Sequence, residues 1–202
     1  MSQVSIKEAA KKLSQTKGEV RGVALKTDME FILKEKGEKG LKQVEDYLKA
    51  IGFPIQYKEV KVMDYYPIGL RVISLLAIKE AFNFNDENVK SMGVFATKVS
   101  LMIKLFVKYF FSVQRVFFKE APKIWDKHYT ISKLLPVELN EEKKYAIVKI
   151  EDLALDPIFC TYLGGYFCGI LKMLIKTPSI DFQETNCPFR GAQYHEFLIK
   201  WQ

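Results

Sequence analysis

The last third of the chain decides the fold, and it opens with two strand-like segments, TISKLLPVEL (130–139) and KYAIVKI (144–150). Between them, the polar run NEEK (140–143) is typical of a hairpin turn. The apolar segment PIFCTYLGGYFCGILKMLIK (157–176) follows and predicts a long helix. This helix begins behind Asp156, because an aspartate before a proline favours the cap of a helix.

Two more strand-like segments complete the chain, SIDFQET (179–185) and YHEFLIKW (194–201). In the second segment Phe197 and Ile199 alternate with Leu198, which is the period of a strand. A strand–strand–helix–strand–strand unit closes naturally as a four-stranded antiparallel sheet covered on one face. We therefore predict an α+β fold, in which a helical N-terminal part packs on a C-terminal four-stranded antiparallel sheet with a covering helix.

Helical patterns dominate the chain before the sheet. Thr27 or Asp28 is placed to cap a helix that runs to Lys36, with Gly37 as its C-terminal stop. Further helices are predicted over the ranges 38–51, 67–82 and 85–97. Residues 1–18 are rich in lysine and end at a glycine. We predict an N-terminal appendage over residues 1–18 and a single domain over residues 19–202.

Composition and charge exclude several classes of protein. Of 202 residues 49% are hydrophobic, which is too many for an intrinsically disordered chain. Three cysteines are too few for a disulfide scaffold, and no apolar signal-peptide core follows Met1, so a reducing cytoplasm is the expected location. The net charge of +7 permits an acidic partner, but the basic residues are scattered and show no helix-turn-helix pattern. The sequence argues against nucleic-acid binding.

No segment of the sequence has the length and composition expected of a membrane span. The most apolar stretch, residues 94–118, is interrupted by basic side chains and never reaches about 20 uncharged residues in a row. The four basic residues that interrupt the stretch are Lys98, Lys104, Lys108 and Arg115. A mostly polar stripe at spacings of three and four indicates a long, half-buried helix of a soluble core rather than a membrane-surface helix. The stripe consists of Lys104, Lys108, Phe111, Arg115 and Lys119.

The sequence contains none of the motifs of common enzymes. It has no nucleophile elbow, no phosphate-binding glycine-rich loop before a helix and no paired-histidine metalloprotease motif. Gly164 and Gly165 lie inside an apolar helical pattern, where close helix packing explains them better than phosphate binding. Only two histidines are present, so pairs for nucleophilic catalysis have few ways to form. We predict that the chain is not an enzyme.

Metal-ligand residue types collect near the C-terminus. Glu184 and Cys187 end one predicted strand and His195 begins the next, so the hairpin would bring the three side chains together. Cys160, near the start of the last helix, would supply a fourth ligand. Sulfur, nitrogen and oxygen ligands suit tetrahedral zinc. On spacing alone the alternative is three unconnected residues in a hairpin, because the pattern matches no common zinc finger.

This C-terminal cluster resembles that of the 4-vinyl-reductase-type sensor domain. That family belongs to one fold superfamily with the haem–nitric-oxide-binding domains and the TRAPP vesicle-tethering subunits. Its pattern closes with a Cys and a Phe, and here His195 and Phe197 stand at those places, with Arg190 and Gly191 in the turn. The resemblance implies a structural zinc held by Cys160, Glu184, Cys187 and His195. It spans roughly residues 21–201, although outside the cluster the motifs are loose.

The same resemblance shows which residues a haem site would require in this chain. Haem-binding relatives use a histidine in the helix before the sheet and a Tyr-x-Ser-x-Arg motif for the propionates. The ligand position falls near residues 121–123, which contain no histidine, and the propionate motif is missing near residues 151–155. His128 is a turn further on, where we expect an exposed or helix-capping role. The sequence thus argues against haem.

The leading functional hypothesis is a non-catalytic sensor that binds a small hydrophobic or aromatic molecule and signals through a homodimer or a partner protein. Aromatic residues crowd the two helices before the sheet, and the candidate ligand contacts are Tyr109, Phe111 and Trp125. Ordinary core filling is the alternative for each of these rings. A scaffold protein of the tethering type, with no exchangeable ligand, is the alternative function. An enzyme acting on a tetrapyrrole vinyl group is discounted for lack of a cofactor motif.

Overall fold

A computed structural model describes residues 3–99, 112–175 and 177–202, with side-chain surroundings from residue 6 onward. In the described part of the helical half there are four long helices: α1 (Gln3–Leu13), α2 (Val23–Ala50), α3 (Ile68–Ala81) and α4 (Asp86–Val99). Two short strands, β1 (Glu19–Arg21) and β2 (Tyr65–Pro67), pair antiparallel and join the ends of these helices. Helix α1 buries Ile6, Ala10 and Leu13. This half supplies one wall of the core.

Helix α2 consists of two helical segments that meet at a kink at Gly37, the predicted stop, but its start differs from the prediction. It begins at Val23, before Thr27 and Asp28, and it continues past Gly37, where the backbone kinks at a φ of 64°. Glycine accepts this left-handed conformation at little steric cost, so the chain bends there and resumes its helical course. Asp28 is not a cap. Its carboxylate is fully buried and forms an ion pair with Arg71 of α3.

The chain enters the second half through a helical turn (Val113–Arg115), a π-turn (Val116–Glu120) and helix α5 (Ala121–His128). The remaining elements are β3 (Lys133–Asn140), β4 (Tyr145–Glu151), helix α6 (Pro157–Leu174), β5 (Ile180–Asn186) and β6 (His195–Trp201). Strands β3 to β6 form one antiparallel sheet in the order β3–β4–β6–β5. The predicted α+β fold and four-stranded sheet are confirmed.

Alternation of side chains makes one face of this sheet apolar. In β4 the buried residues are Ala146, Val148 and Ile150, each separated by a more exposed one. Val148 lies opposite Phe197 of β6, which is itself fully buried. Helix α6 packs on this face and buries most of its own length. The core therefore lies between the sheet, α6 and the helical half.

Glycines allow α4 and α6 to pack with their backbones in contact. A Cβ atom at Gly165 would collide with the carbonyl oxygen of Lys90, and one at Gly93 would collide with the carbonyl oxygen of Tyr162. At Gly164 a Cβ would strike the ring of Phe182 on β5. Close packing is thus the role of the Gly164–Gly165 pair, as predicted.

Helix α6 is the one helix in the described ranges that is long and apolar enough to cross a membrane. Of its 18 residues 61% are buried inside the protein. It packs against α4 and the sheet, and core helices of soluble proteins have the same length and composition.

Candidate functional site

The four predicted metal ligands come together at one end of the sheet. Cys160 lies in the first turn of α6, Glu184 on the inner face of β5, Cys187 just after β5 and His195 at the start of β6. One ligand atom from each residue can be chosen so that all four lie within 4.8 Å of one another. The two cysteines and the histidine are buried, and Glu184 is half-buried. This juxtaposition joins α6 to the last hairpin.

Local sequence features position these side chains. Asp156 caps α6 by accepting a hydrogen bond from the Ile158 backbone N–H, and this cap sets the helix start near Cys160. The register of β5 on β6 shifts after Glu184, so the strand bends as it approaches Cys187. Gly191 then turns the chain back with a φ of 90°, a conformation that favours glycine.

The His195 ring is fixed by hydrogen bonds on both nitrogens. Its Nε2–H donates to the Leu153 carbonyl oxygen at 2.5 Å, because a carbonyl can only accept. Nδ1 then faces the cluster, 2.9 Å from Glu184 Oε1 and 3.6 Å from Cys160 Sγ. A metal-bound histidine is commonly oriented in this way, with its second nitrogen donating to a backbone carbonyl.

The ionisation of the cluster reflects its burial. Burial raises the pKa of the Cys160 thiol, and the Glu184 carboxylate raises it further. Burial alone would also raise the pKa of Glu184, but hydrogen bonds from His195 and Cys187 hold it below its usual value. Arg190 donates to the Glu184 carbonyl oxygen at 2.8 Å and keeps that strand end in place. A divalent cation would favour the thiolates that burial alone disfavours.

A second feature is a partly open, mostly apolar cavity between α2, α5, α6 and the sheet. Its volume is about 120 Å³. The aliphatic and aromatic part of its wall includes Phe117, Trp125, Val148, Leu163, Phe167 and Ile199. The polar atoms of the wall come chiefly from His128, Tyr129, Tyr162 and Tyr166.

The polar groups of the cavity have few protein partners. Neither the Tyr129 nor the Tyr166 hydroxyl makes a hydrogen bond to another residue within the described ranges. Burial raises the pKa of both phenols, so they remain protonated. His128 donates through Nδ1 to the Ile124 carbonyl oxygen at 2.8 Å, which leaves Nε2 available, and burial lowers its pKa. These groups are available to bind a molecule in the cavity.

Of the three predicted ligand contacts, only Trp125 lies in the described part of the chain. Tyr109 and Phe111 lie outside the described residues. Trp125 lines the cavity, and its ring stacks on Tyr129 at a centroid distance of 4.3 Å. Its Nε1–H donates to Ser132 Oγ at 2.9 Å, so the indole offers the cavity its apolar surface.

Sequence reasoning missed the tyrosines and a buried ion pair beside them. Tyr162 and Tyr166 are four residues apart on α6, a spacing that places them on one helix face. Arg71 is the one charged residue in the stretch 68–78 of α3, and it is fully buried against Asp28. A single charge inside this apolar stretch was the available signal, because such a charge needs a buried partner.

No protein-family model and no curated protein matches the chain. Solved structures do match, among them an H-NOX protein from S. oneidensis in the Fe(II)NO ligation state, with a TM-score of 0.67 and 12% identity over 90% of this chain and 99% of that one. Unliganded Fe(II) H-NOX from K. algicida matches with a TM-score of 0.62 and 9% identity over 90% and 96% of the two chains. A point mutant of T. Tengcongensis H-NOX matches with a TM-score of 0.62 and 16% identity over 90% and 97%. The chain has the H-NOX fold.

The prediction against haem was wrong. The solved structures that the chain matches include H-NOX proteins described in an Fe(II) state and one described by the distortion of its haem. The prediction relied on the lack of a histidine near residues 121–123, one turn before His128. In the fold, His128 closes the last turn of α5 and also lines the cavity with Nε2 available. A histidine held through Nδ1 by a backbone carbonyl is a suitable axial ligand for iron.

Proposed function

We propose that this chain is a non-catalytic sensor domain that binds a small hydrophobic or aromatic molecule in the cavity between its helices and its sheet. The observation that carries the proposal is the cavity wall, which is apolar except for one histidine, three tyrosines and one threonine. Small-molecule sites commonly combine an apolar lining with a few polar groups that orient the ligand. The H-NOX fold supports the proposal, because the matched proteins bind small molecules, namely a haem and its gas ligand.

The size of the cavity suits a molecule with one ring. Its volume is about 120 Å³. For comparison, an engineered apolar cavity of about 150 Å³ in another protein binds benzene. The free hydroxyls of Tyr129 and Tyr166 would hydrogen-bond to an oxygen on such a ring, as a phenol carries. A mainly apolar ring with one oxygen is therefore the ligand class that the wall favours.

The metal cluster would act as a structural zinc site in this domain. Two sulfurs, one nitrogen and one oxygen complete a tetrahedral shell and leave no position for a reacting water. The ion would tie the start of α6 to the turn between β5 and β6. The resemblance to the 4-vinyl-reductase-type domain supports the same four ligands, Cys160, Glu184, Cys187 and His195.

Haem-based gas sensing is the second candidate function, and His128 is the observation that favours it. Its free Nε2 at the cavity wall would hold the iron, and the haem would supply the gas-binding chemistry. The neighbouring tyrosine hydroxyls would contact its polar groups. Haem is much larger than the one-ring molecule that this cavity suits, so the second candidate requires the cavity to widen around His128.

Signalling would pass through contacts between two copies of the chain or with a separate partner. Because α6 contributes to both the cavity and the metal cluster, ligand binding would be transmitted to the sheet through this helix. A protein with no exchangeable occupant would instead serve as a scaffold, and the experiment below separates these roles.

The test is native mass spectrometry of the purified full chain with elemental analysis and visible absorption. One zinc per chain, together with a rise in melting temperature on adding phenol or toluene, is the expected result. Incubation with haemin tests the second candidate, because a Soret band that is lost in His128→Ala and kept in His195→Ala would establish haem binding through His128. If no single-ring probe and no haem binds, the sensor proposal is wrong and the scaffold function replaces it.

A further inference from the structure

The outer face of the helical run 113–128 carries a row of basic side chains. This run consists of the helical turn, the π-turn and α5, and its inner face lines the cavity. The basic residues recur at every fourth position, a spacing that keeps successive side chains close together on a helix. All four side chains are exposed. We call this set the basic row; it consists of Arg115, Lys119, Lys123 and Lys127.

Acidic side chains of the same run compensate little of this charge at the surface. The run contains two of them, Glu120 and Asp126. Glu120 is buried beneath the row, with its carboxylate oxygens 3.6 Å from Arg115 Nε and 3.7 Å from Lys123 Nζ. Asp126 is the one acidic side chain that residues 113–128 expose. The outer face of the run is therefore mainly positive.

An aromatic ring is exposed at one end of the basic row. Phe118 follows Arg115 by three residues and precedes Lys119, and 45% of it is exposed. The adjacent Phe117 is buried and lines the cavity, so the two rings point to opposite sides of the helical run. Phe118 thus presents its apolar surface among the positive charges.

A second apolar group adjoins the other end of the row. In the loop before β2, Val62 is 45% exposed and Met63 is 67% exposed. Arg21 ties this loop to the last turn of α5, because its Nε donates to the Lys127 carbonyl oxygen at 2.9 Å and its Nη1 to the Met63 carbonyl oxygen at 2.5 Å. The residues on either side of the apolar pair are exposed and of opposite charge, Lys61 and Asp64. The basic row therefore lies between two exposed apolar groups.

The combination of lysine with separate apolar side chains indicates the kind of partner. Protein–protein interfaces are depleted of lysine. An anionic membrane surface attracts lysine and arginine, and aromatic or aliphatic side chains enter the boundary between its headgroups and acyl chains. Long lysine side chains also reach along apolar surface while their ammonium groups stay at the headgroups. The charge and the apolar ends of the row thus complement a lipid surface better than a protein surface.

We propose that the basic row, with Phe118 and the pair Val62 and Met63 at its ends, docks the protein on a membrane surface that contains anionic phospholipids. The helical run stays packed on the core, so that only these three apolar side chains enter the lipid and the basic side chains contact the headgroups. The proposal does not depend on the sensor function. It adds a place where the sensor would act, with the cavity on the inner side of the docked helical run.

The experiment is sedimentation of the full chain with vesicles of phosphatidylcholine alone and of phosphatidylcholine with about 30% phosphatidylserine. We expect binding to the second kind only, and its loss at high salt, which screens exposed charges. The double variant Lys119→Glu with Lys127→Glu should weaken this binding about tenfold or more. Met63→Ser should weaken it without changing the charge. The matched control is Lys7→Glu with Lys49→Glu, at exposed lysines of α1 and α2; it changes the net charge equally and should bind as the wild type does.

Several results would overturn the proposal. Equal binding to the two kinds of vesicle, or binding to neither, excludes docking on anionic lipid. An equal loss in the row variant and in the control would mean that net charge alone attracts the protein. Binding of polyglutamate through the row, with no binding to vesicles, would assign the surface to an acidic protein. Melting temperatures show whether each variant folds; should the double variant not fold, Lys119→Glu alone takes its place in the same comparison.

Discussion

Gly93 of α4 faces Gly165 of α6 so closely that a Cβ atom at position 93 would lie 3.1 Å from the Gly165 carbonyl carbon. The contact is reciprocal, because a Cβ at Gly165 would collide with the backbone of Lys90, three residues before Gly93. Helix α6 also forms part of the cavity wall and carries Cys160. The separation of these two helices therefore sets the geometry of both candidate sites.

Replacing Gly165 by alanine should destabilise the protein. Alanine has the higher helix propensity, but its methyl group has no space beside Lys90 and would push the helices apart. Overpacking of this kind costs about 1–3 kcal/mol. Urea unfolding would measure the loss. Lys172→Ala, an exposed position on the same helix, is the control and should change the free energy of unfolding little. Equal stability of the two variants would show that α4 and α6 separate easily.

Cys187→Ser should remove the zinc and lower the melting temperature. Serine offers a much poorer ligand than a thiolate, and the remaining three side chains would hold the ion weakly. The matched control is Cys168→Ser. Cys168 is buried, as Cys187 is, but it lies in the middle of α6, outside the cluster. Elemental analysis should find one zinc in the control and none in Cys187→Ser.

Removal of the metal gives an independent check on the same site. A chelator should lower the melting temperature of the wild type and of Cys168→Ser, because a bound ion stabilises only the folded state. It should have no effect on Cys187→Ser. A chelator effect of equal size in all three proteins would place the metal elsewhere.

Periodicity was enough to predict the sheet. Alternation such as that of Phe197, Leu198 and Ile199 is a local property, and the apolar face it predicts is the face that packs on α6. The proximity of the candidate ligands Glu184, Cys187 and His195 followed from the same hairpin, because a turn between two antiparallel strands returns His195 to the level of Glu184. These inferences needed only neighbouring residues and the short reach of a hairpin.

The errors involve contacts between residues that are distant in the sequence. Asp28 has the local signature of a helix cap, yet its partner Arg71 is 43 residues away and burial of that pair decides its role. His128 has the expected capping role, since Nδ1 donates to the Ile124 carbonyl in the last turn of α5. Its place in the cavity wall was missed, because that wall is assembled from α2, α6 and the sheet. Neither the Asp28–Arg71 ion pair nor the cavity wall around His128 can be inferred from the residues next to them in the sequence.

Tyr166→Phe tests whether the cavity hydroxyls serve a ligand. The change keeps the ring and removes a hydroxyl that has no partner in the described part of the chain, so the free energy of unfolding should stay nearly constant. Phenol binding should weaken, while toluene binding should be unchanged. Tyr57→Phe is the matched control: its hydroxyl bonds Ser74 at 2.7 Å, and its loss should cost about 1 kcal/mol with no effect on phenol. A stability loss in Tyr166→Phe with unaltered phenol affinity would assign that ring to the core alone.

The last prediction concerns His128 and acid. Burial lowers the pKa of this imidazole in the folded protein, whereas the unfolded chain titrates near the ordinary value of about 6.5. Above that pH both states are neutral and His128 adds nothing to the pH dependence of stability. As the pH falls through 6.5, the unfolded state takes up a proton that the folded state does not. Stability should therefore fall, with a slope from this group of at most about 1.4 kcal/mol per pH unit.

His128→Gln should remove that contribution and flatten the stability profile between pH 8 and about pH 5.5. The measurement is the free energy of unfolding by urea across this range, with a chelator present in every sample so that loss of metal does not contribute. All other titratable groups are the same in both proteins, so their contributions cancel in the difference. Parallel profiles for the two proteins would mean that the His128 ring is charged as readily in the fold as in the unfolded chain, and Nε2 would then face water instead of the cavity.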